Sequence, residues 1–460
     1  MLWLAALPVL LLHGPGGDKV TVAPGLHFAA VAVAAAIAGA AAVALSVAGA
    51  RRGDGRTVLL STAFSTMTGL LLVHGLATPG ILVGMNGVVA LAGGLSLPVG
   101  AALLALTALP GLRRPRDVRT LVTYQVALFV LVIDLGVVGM LFPSIVPSVP
   151  AVGSPAAKAL LVVGAVLFAT IVLRALRTFA LTRRASDLVA AAGCVWLGVA
   201  LFPQMIMGYA TLGFYVGHGF ELFGIAMVAV PAVLDLSRAG ASRPLVGDLS
   251  ATEIVAAEER FLGPRVRALM LSLEEKDRST EQHTRRVAML AVRVGEQLRL
   301  PPATLRHLAV GGLLHDIGKL SVPDAILTKP DKLTEAEFAE IKRHPGAGLK
   351  LLRELGGFPD AVHRLVHEHH ERLDGSGYPQ GLADHELGIG PRLLAICDVF
   401  DALTDDRVYR SAWEVEDALA LLRSEAGTKL DARCVHALER VIRGVEPAGA
   451  RTVAPRLVTA

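Results

Sequence analysis

Seven apolar stretches, each long enough to cross a bilayer, fill the first half of the chain and constrain its architecture more than any other feature. They lie at about 26–48, 57–77, 84–109, 120–141, 157–176, 187–209 and 212–235. A helix needs roughly 20 apolar residues to traverse the hydrocarbon core, and it can do so because its backbone satisfies its own hydrogen bonds. The composition of the whole chain, 53% hydrophobic and 18% charged over 460 residues, is too apolar for one soluble globule. The apolar excess ends near residue 236, after which the sequence is mixed in charge.

Arginines occupy every second connection between these stretches: Arg51, Arg52 and Arg56, then Arg113, Arg114, Arg116 and Arg119, then Arg174, Arg177, Arg183 and Arg184. The positive-inside bias places the N-terminus outside and the C-terminal part in the cytoplasm, and an odd number of spans agrees. The net charge of +4 and pI near 9.0 belong to these loops rather than to one continuous basic face, so they do not point to a nucleic acid polymer as partner. Cys194, Cys397 and Cys434 show no paired spacing, which argues against disulfides. Residues 2–12 are apolar but too short to span and lack a cationic start, and they stay unassigned between a signal-like segment and an extracytoplasmic cap.

Polar residues inside the spans are costly, so His74, Asp134, His218 and Glu221 call for an explanation. His218 and Glu221, three apart, share a helix face. Two readings stay open: a sensor that takes a metal, protons or a small ligand, or interhelical hydrogen bonds that hold the bundle together. Seven spans can also form a transport path.

Beyond Asp235 the run Ser237-Arg238-Ala239-Gly240-Ala241-Ser242-Arg243-Pro244 reads as a hinge. Ser250 with Glu253 is a capping-box signature, predicting a helix from there through Phe261 that joins membrane and soluble parts. From about residue 266 the periodicity is helical throughout, as in Arg286–Val294, Leu305–Leu314 and Ala418–Leu422. The expected divisions are an extracytoplasmic segment 1–23, a transmembrane domain 24–236, a linker and signalling helix 237–265, a soluble helical domain 266–446 and a tail 447–460.

Within the soluble domain, His369-His370-Glu371-Arg372-Leu373-Asp374-Gly375-Ser376-Gly377-Tyr378-Pro379 couples two adjacent imidazoles to a Gly-rich turn, and His315-Asp316-Ile317-Gly318-Lys319 sets an imidazole beside a carboxylate. His283, His344 and Asp398 complete a set of seven candidate metal ligands with His315, Asp316, His369 and His370. Singly, each histidine is more simply a satisfied polar residue; together, in this order, they are not.

These motifs resemble the HD-GYP family of phosphodiesterases over roughly the last 200 residues. Taken with the seven spans and their arginine pattern, the resemblance gives the expected architecture: an all-α protein in which an N-terminal seven-helix transmembrane bundle precedes a cytoplasmic all-helical HD-type phosphohydrolase domain, held in the inner (cytoplasmic) membrane. It implies that Asp316 bridges two divalent ions, with His283, His315 and Asp398 completing one and His344, His369 and His370 the other. Imidazole and carboxylate without thiolate suit iron or manganese, and also admit zinc or nickel. Two ions about 3.5–4 Å apart bind phosphodiester oxygens and make water nucleophilic. Relatives with a third ion carry a glutamate where Ser279 stands here, so a dinuclear centre is expected. Cys397 is read as core packing.

By the same resemblance Lys319 stabilises phosphate charge or orients the nucleophile, and Asp316 and Lys319 form the catalytic pair. Arg407 and Arg410 would grip the non-scissile phosphate, against the simpler reading of a surface pair engaged with nearby acids. Tyr378 shapes the pocket or anchors the loop, while Glu371 and Asp374 orient histidines or hold the loop. The implied substrate is cyclic di-GMP, opened to the linear dinucleotide pGpG, with pGpG or GMP as the alternatives for the end product. A catalytically inactive nucleotide receptor or partner-binding module, or an HD hydrolase acting on another cyclic dinucleotide or a phosphomonoester, are the alternatives. The lipid bilayer, a homodimer and signalling proteins are the other expected partners.

Overall fold

The computed structural model describes residues 19–20, 22–107, 118–207, 211–239, 249–276, 280–329, 331–405 and 411–444. Among the described residues there is no β-strand, only isolated bridges such as Lys19 with Thr211. The chain divides into two compact units, Met1–Asp248 and Leu249–Ala460.

The first unit holds seven long apolar helices: α1 (Pro24–Arg52), α2 (Gly55–Leu76), α3 (Val88–Leu106), α4 (Val118–Leu141), α5 (Pro155–Thr182), α6 (Ala185–Ile206) and α7 (Leu212–Ala239). Each lies within a few residues of an expected span. Asp54 starts α2, its carboxylate accepting from Arg56 N at 3.0 Å and Thr57 N at 3.4 Å. This helix is the most enclosed, packed by α1, α3 and α4. It tolerates burial of Thr62, Thr66 and Thr68 because each hydroxyl donates to the carbonyl four residues back, at 2.8, 2.9 and 2.8 Å. By contrast α4 and α5 turn Leu131, Leu135, Val162, Val166 and Leu173 outward. Length, apolarity and outward-facing aliphatic side chains mark this unit as a membrane-spanning region.

In the second unit α8 (Ala251–Phe261) and α9 (Pro264–Lys276) lead into the central pair α10 (Thr280–Gln297) and α11 (Pro302–Leu314). A 3₁₀ turn, Ile317–Ser321, and α12 (Asp324–Leu327) follow, then α13 (Glu335–Ile341), α14 (His344–Leu355) and α15 (Asp360–Glu368). After a long loop come α16 (Ile389–Thr404), α17 (Val415–Glu425) and α18 (Ala432–Ile442). The stripe expected on α10 buries Val287, Ala288, Ala291 and Val292 against α11 and α16.

The capping box at Ser250 and Glu253 is formed. Its helix, α8, packs onto α10 and α11 and so belongs to this unit's core, with Ile254 and Val255 buried. It ends at Phe261, where Gly263-Pro264 breaks the run. All three cysteines are free and buried.

Candidate metal centre

Most of the candidate ligands come from the ends of helices. His283 projects from the first turns of α10, His315 caps the C-terminus of α11, His344 opens α14, His369 caps α15 with His370 next to it, and Asp398 lies within α16. The HD pair therefore straddles the junction of α11 and the 3₁₀ turn rather than sitting inside one regular helix, as a simple helical reading of the pair supposes.

Helix ends explain how the imidazoles are aimed. The last carbonyls of a helix lack intrahelical donors. Here His315 Nδ1 donates to Gly312 O at 2.9 Å, His344 Nδ1 to Ile341 O at 2.7 Å and His369 Nδ1 to Val366 O at 2.9 Å, in each case three residues back. Each bond satisfies a terminal carbonyl and fixes the tautomer, leaving Nε2 as a lone pair directed inward. His283 is aimed the same way by a carboxylate, with its Nδ1 2.7 Å from Asp401 Oδ2.

The inward nitrogens form two groups. His344, His369 and His370 make one, and His283, His315 and Asp316 the other, with the ligand atoms of each group within 4.8 Å of one another. Asp316 faces both: its Oδ1 is 3.4 Å from His344 Nε2, while Oδ2 is 3.5 Å from His315 Nε2 and 3.9 Å from His283 Nε2. Asp398 Oδ1 lies 3.2 Å from His283 Nε2 and 3.7 Å from His315 Nε2, and its Oδ2 is 3.9 Å from His370 Nδ1.

Two features test whether these residues fit metal ions. His315 Nε2 is fully buried without a hydrogen-bond partner. His344 Nε2 and His369 Nε2 stand 3.3 Å apart although both Nδ1 atoms already donate elsewhere, so two lone pairs face each other. Cations relieve both conditions, and the clusters can hold them.

The electrostatics agree. Burial holds His369 well below the ordinary imidazole range and lowers His344 to about 4 and His370 to about 3. Burial works to raise Asp316, but Lys319 and the histidines outweigh it and keep the carboxyl well below its usual range. Asp398 is likewise held low against burial by His283 and His315. Neutral imidazoles and ionised carboxylates are the forms that bind metal. His283 differs: burial lowers it, yet Asp398 and Asp401 outweigh that and push it up to about 9, so a cation taking its Nε2 would replace a proton.

Lys319 Nζ lies 2.7 Å from Asp316 Oδ2 at the edge of the cluster. Tyr378 packs against His370 in a tilted arrangement, with ring centroids 4.7 Å apart. The loop behind it is pinned by buried Glu371, whose carboxylate accepts from Gln380 N at 2.6 Å and Leu382 N at 3.1 Å. Asp374 accepts from Ser376 N at 3.0 Å, closing the turn. Both acids thus hold the loop. Arg407, Arg410 and Ser279 lie outside the described residues. Buried Cys397 stays in the core, its thiol pushed well up by burial.

Asp401 and Arg286 escaped the sequence reading. Arg286 Nε donates to Asp401 Oδ1 at 2.8 Å, so the carboxylate spans His283 and a guanidinium. The available signal was spacing: Asp401 follows Asp398 by three, and Arg286 follows His283 by three, on shared helix faces.

In the membrane unit the four polar residues separate. Glu221 accepts from Ser96 Oγ at 2.8 Å and from Gln204 Nε2 at 3.1 Å, an interhelical network. Asp134 lies exposed on α4. His74 and His218 come together, with His27 as an unexpected third member.

Comparison with known proteins places this geometry. Residues 267–434 match the HD domain family, the class of helical domain that the HD pair defines. The chain is 37% identical over 187 residues to a cyclic di-GMP phosphodiesterase of Pseudomonas aeruginosa, covering 41% of this chain and 45% of that protein. It is 40% identical over 192 residues to a cyclic di-GMP phosphodiesterase response regulator of Xanthomonas campestris pv. campestris, covering 42% and 50%. A 3'3'-cGAMP-specific phosphodiesterase of Vibrio cholerae is 36% identical over 185 residues, covering 40% of each chain. The chain therefore spans about half the length of the curated relatives it matches, and the part of it that a family model matches is an HD domain. That domain resembles the HD-GYP phosphodiesterases, as its motifs imply.

Proposed function

We propose that the second unit is a metal-dependent phosphodiesterase that hydrolyses cyclic di-GMP to pGpG, under the control of an input to the membrane unit. The observation that carries this is the convergence of the buried nitrogens of His283, His315, His344 and His369, each oriented from behind by a carbonyl or carboxylate, on two ionised aspartates.

His283, His315 and Asp398 would hold one ion and His344, His369 and His370 the other, with Asp316 between them. The mixed imidazole and carboxylate donors suit iron or manganese and also admit zinc or nickel. Such a pair supplies Lewis acidity that grips phosphodiester oxygens and lowers the pKa of water. The chain's own groups do the rest. Lys319 stands beside Asp316 as a fixed cation for the negative charge that builds on phosphate. Tyr378 on His370 forms an aromatic wall for the substrate, and Arg407 and Arg410 would hold the second phosphate. Attack of water on phosphorus then breaks the P–O bond to the 3′ oxygen, which leaves as a hydroxyl. The membrane unit would be multi-pass in the inner membrane, with its N-terminus outside and the phosphodiesterase in the cytoplasm, compatible with a homodimer and signalling partners.

The test uses a soluble fragment beginning at Leu249, loaded with iron or manganese under reducing conditions and given cyclic di-GMP or 3'3'-cGAMP. Chromatography should show cyclic di-GMP converted to pGpG, with Asp316→Ala slowing turnover by at least ~10³-fold. Preference for 3'3'-cGAMP, which the Vibrio cholerae relative's name makes the specific rival, would reassign the substrate. Tight binding without products would make the unit a receptor.

A further inference from the structure

We propose that His27, His74 and His218 form a binding site for a divalent transition-metal ion, zinc foremost, at the end of the membrane unit where α1 and α7 begin and α2 ends. One ring nitrogen from each lies within 4.8 Å of the others. The rings face one another closely, with centroids 5.1 Å apart for His27 and His74, 4.9 Å for His27 and His218, and 5.5 Å for His74 and His218.

The tautomers follow from the surroundings. His74 Nδ1 donates to Val89 O at 2.7 Å, leaving Nε2 as a lone pair. Thr78 Oγ1 gives its hydrogen to His74 O at 3.1 Å, so its contact with His27 Nδ1 at 3.4 Å places the ring proton on that nitrogen. His27 Nε2 is then also a lone pair, 3.3 Å from His74 Nε2. The same opposition, at the same distance, marks His344 and His369 in the HD domain. His218 is only 8% exposed, and neither of its ring nitrogens has a hydrogen-bond partner. Leaving such groups buried and unpaired is unfavourable, and one shared cation satisfies all three rings.

The donor set selects the metal. Three neutral imidazoles, with no carboxylate or thiolate joining them among the described residues, suit zinc, copper or nickel and not magnesium or calcium, and they leave a fourth position open. His27, the partly exposed member, gives access, while Phe214 covers His218 with ring centroids 4.7 Å apart. Gly93 on α3 lets that helix approach His74, since a Cβ there would lie 2.7 Å from Nδ1. The proposal stands whether or not the HD domain turns over a nucleotide. If it does, an ion tying α1, α2 and α7 together is a chemically defined input.

The test uses the full chain in detergent carrying Asp316→Ala in every sample, so that whatever zinc the remaining HD ligands retain is common to all and the difference between samples reports the membrane unit. Stripped protein is equilibrated with zinc and its metal content measured. His27→Gln or His218→Gln should lower that content by about one ion per chain, and cobalt in place of zinc should lose a visible tetrahedral band in the same variants. Gly93→Ala, which keeps all three histidines but displaces His74, should weaken zinc binding at least ~10-fold. Equal zinc content and equal cobalt spectra in variants that elute like the parent would overturn the proposal. Should His218→Gln fail to fold, His27→Gln at the partly exposed position decides alone.

Discussion

Asp401 holds His283 from behind, and removing it tests whether orientation or mere proximity makes the centre. The carboxylate accepts from His283 Nδ1 and from Arg286, and it is 7% exposed. Asp401→Ala leaves the imidazole free to rotate or to change tautomer, so metal affinity or turnover should fall by about 10–100-fold with helicity unchanged. A competing-chelator titration reads the first and a circular dichroism spectrum the second; turnover within about twofold of the parent would show that Asp401 is structural only. At this scale the sequence was legible where motif and chemistry coincide, as in the HD pair and the adjacent histidines. It was silent on Asp401 and His27 because their roles depend on which helices face each other. His27 stands at the margin of the first span, where a histidine looks like an interfacial residue.

Elements position the ligands by ending in the right places, and the 3₁₀ turn after α11 shows how tightly. At Gly318 a Cβ would lie 1.9 Å from His344 O and 2.5 Å from Gly348 N, both backbone atoms of α14 that cannot step aside. Gly318→Ala should therefore push α14, and with it His344, away from Asp316. About 3 kcal/mol of destabilisation is expected, lowering the melting temperature of a Leu249–Ala460 fragment by roughly 10 °C. An unchanged melting curve would refute the close approach. The helix behind Ser250 makes a second case. Periodicity and capping located α8, but not its role, because a helix's partner is not written in its own sequence. Since α8 buries Ile254 and Val255 against the helices that carry the centre, a fragment starting at Pro264 should aggregate or melt well below one starting at Leu249. Equal melting temperatures would return α8 to the status of a connector.

For the whole molecule, the spans were the most legible part, since a bilayer leaves a chain so apolar only the choice between helices and a closed barrel, and the runs are of helical length. The separation into two units was legible as a change of composition, whereas the sorting of buried polar residues into a histidine cluster and a glutamate network needed the packing of α1, α2, α3, α6 and α7. Orientation follows from charge. Arginines flank the connections after α1, α3 and α5, so those should face the cytoplasm, together with everything after α7. The connection containing Gly80, between α2 and α3, carries no Lys or Arg and should face outward, as should the three-histidine end where α2 finishes. Alkaline phosphatase fused after Gly80 should thus be active and the same enzyme fused after Ala460 silent, while a green fluorescent reporter shows the opposite pattern. The reverse result would turn the chain over in the membrane, exposing the HD domain to the outside and the histidine cluster to the cytoplasm, and cyclic di-GMP would no longer reach the proposed site.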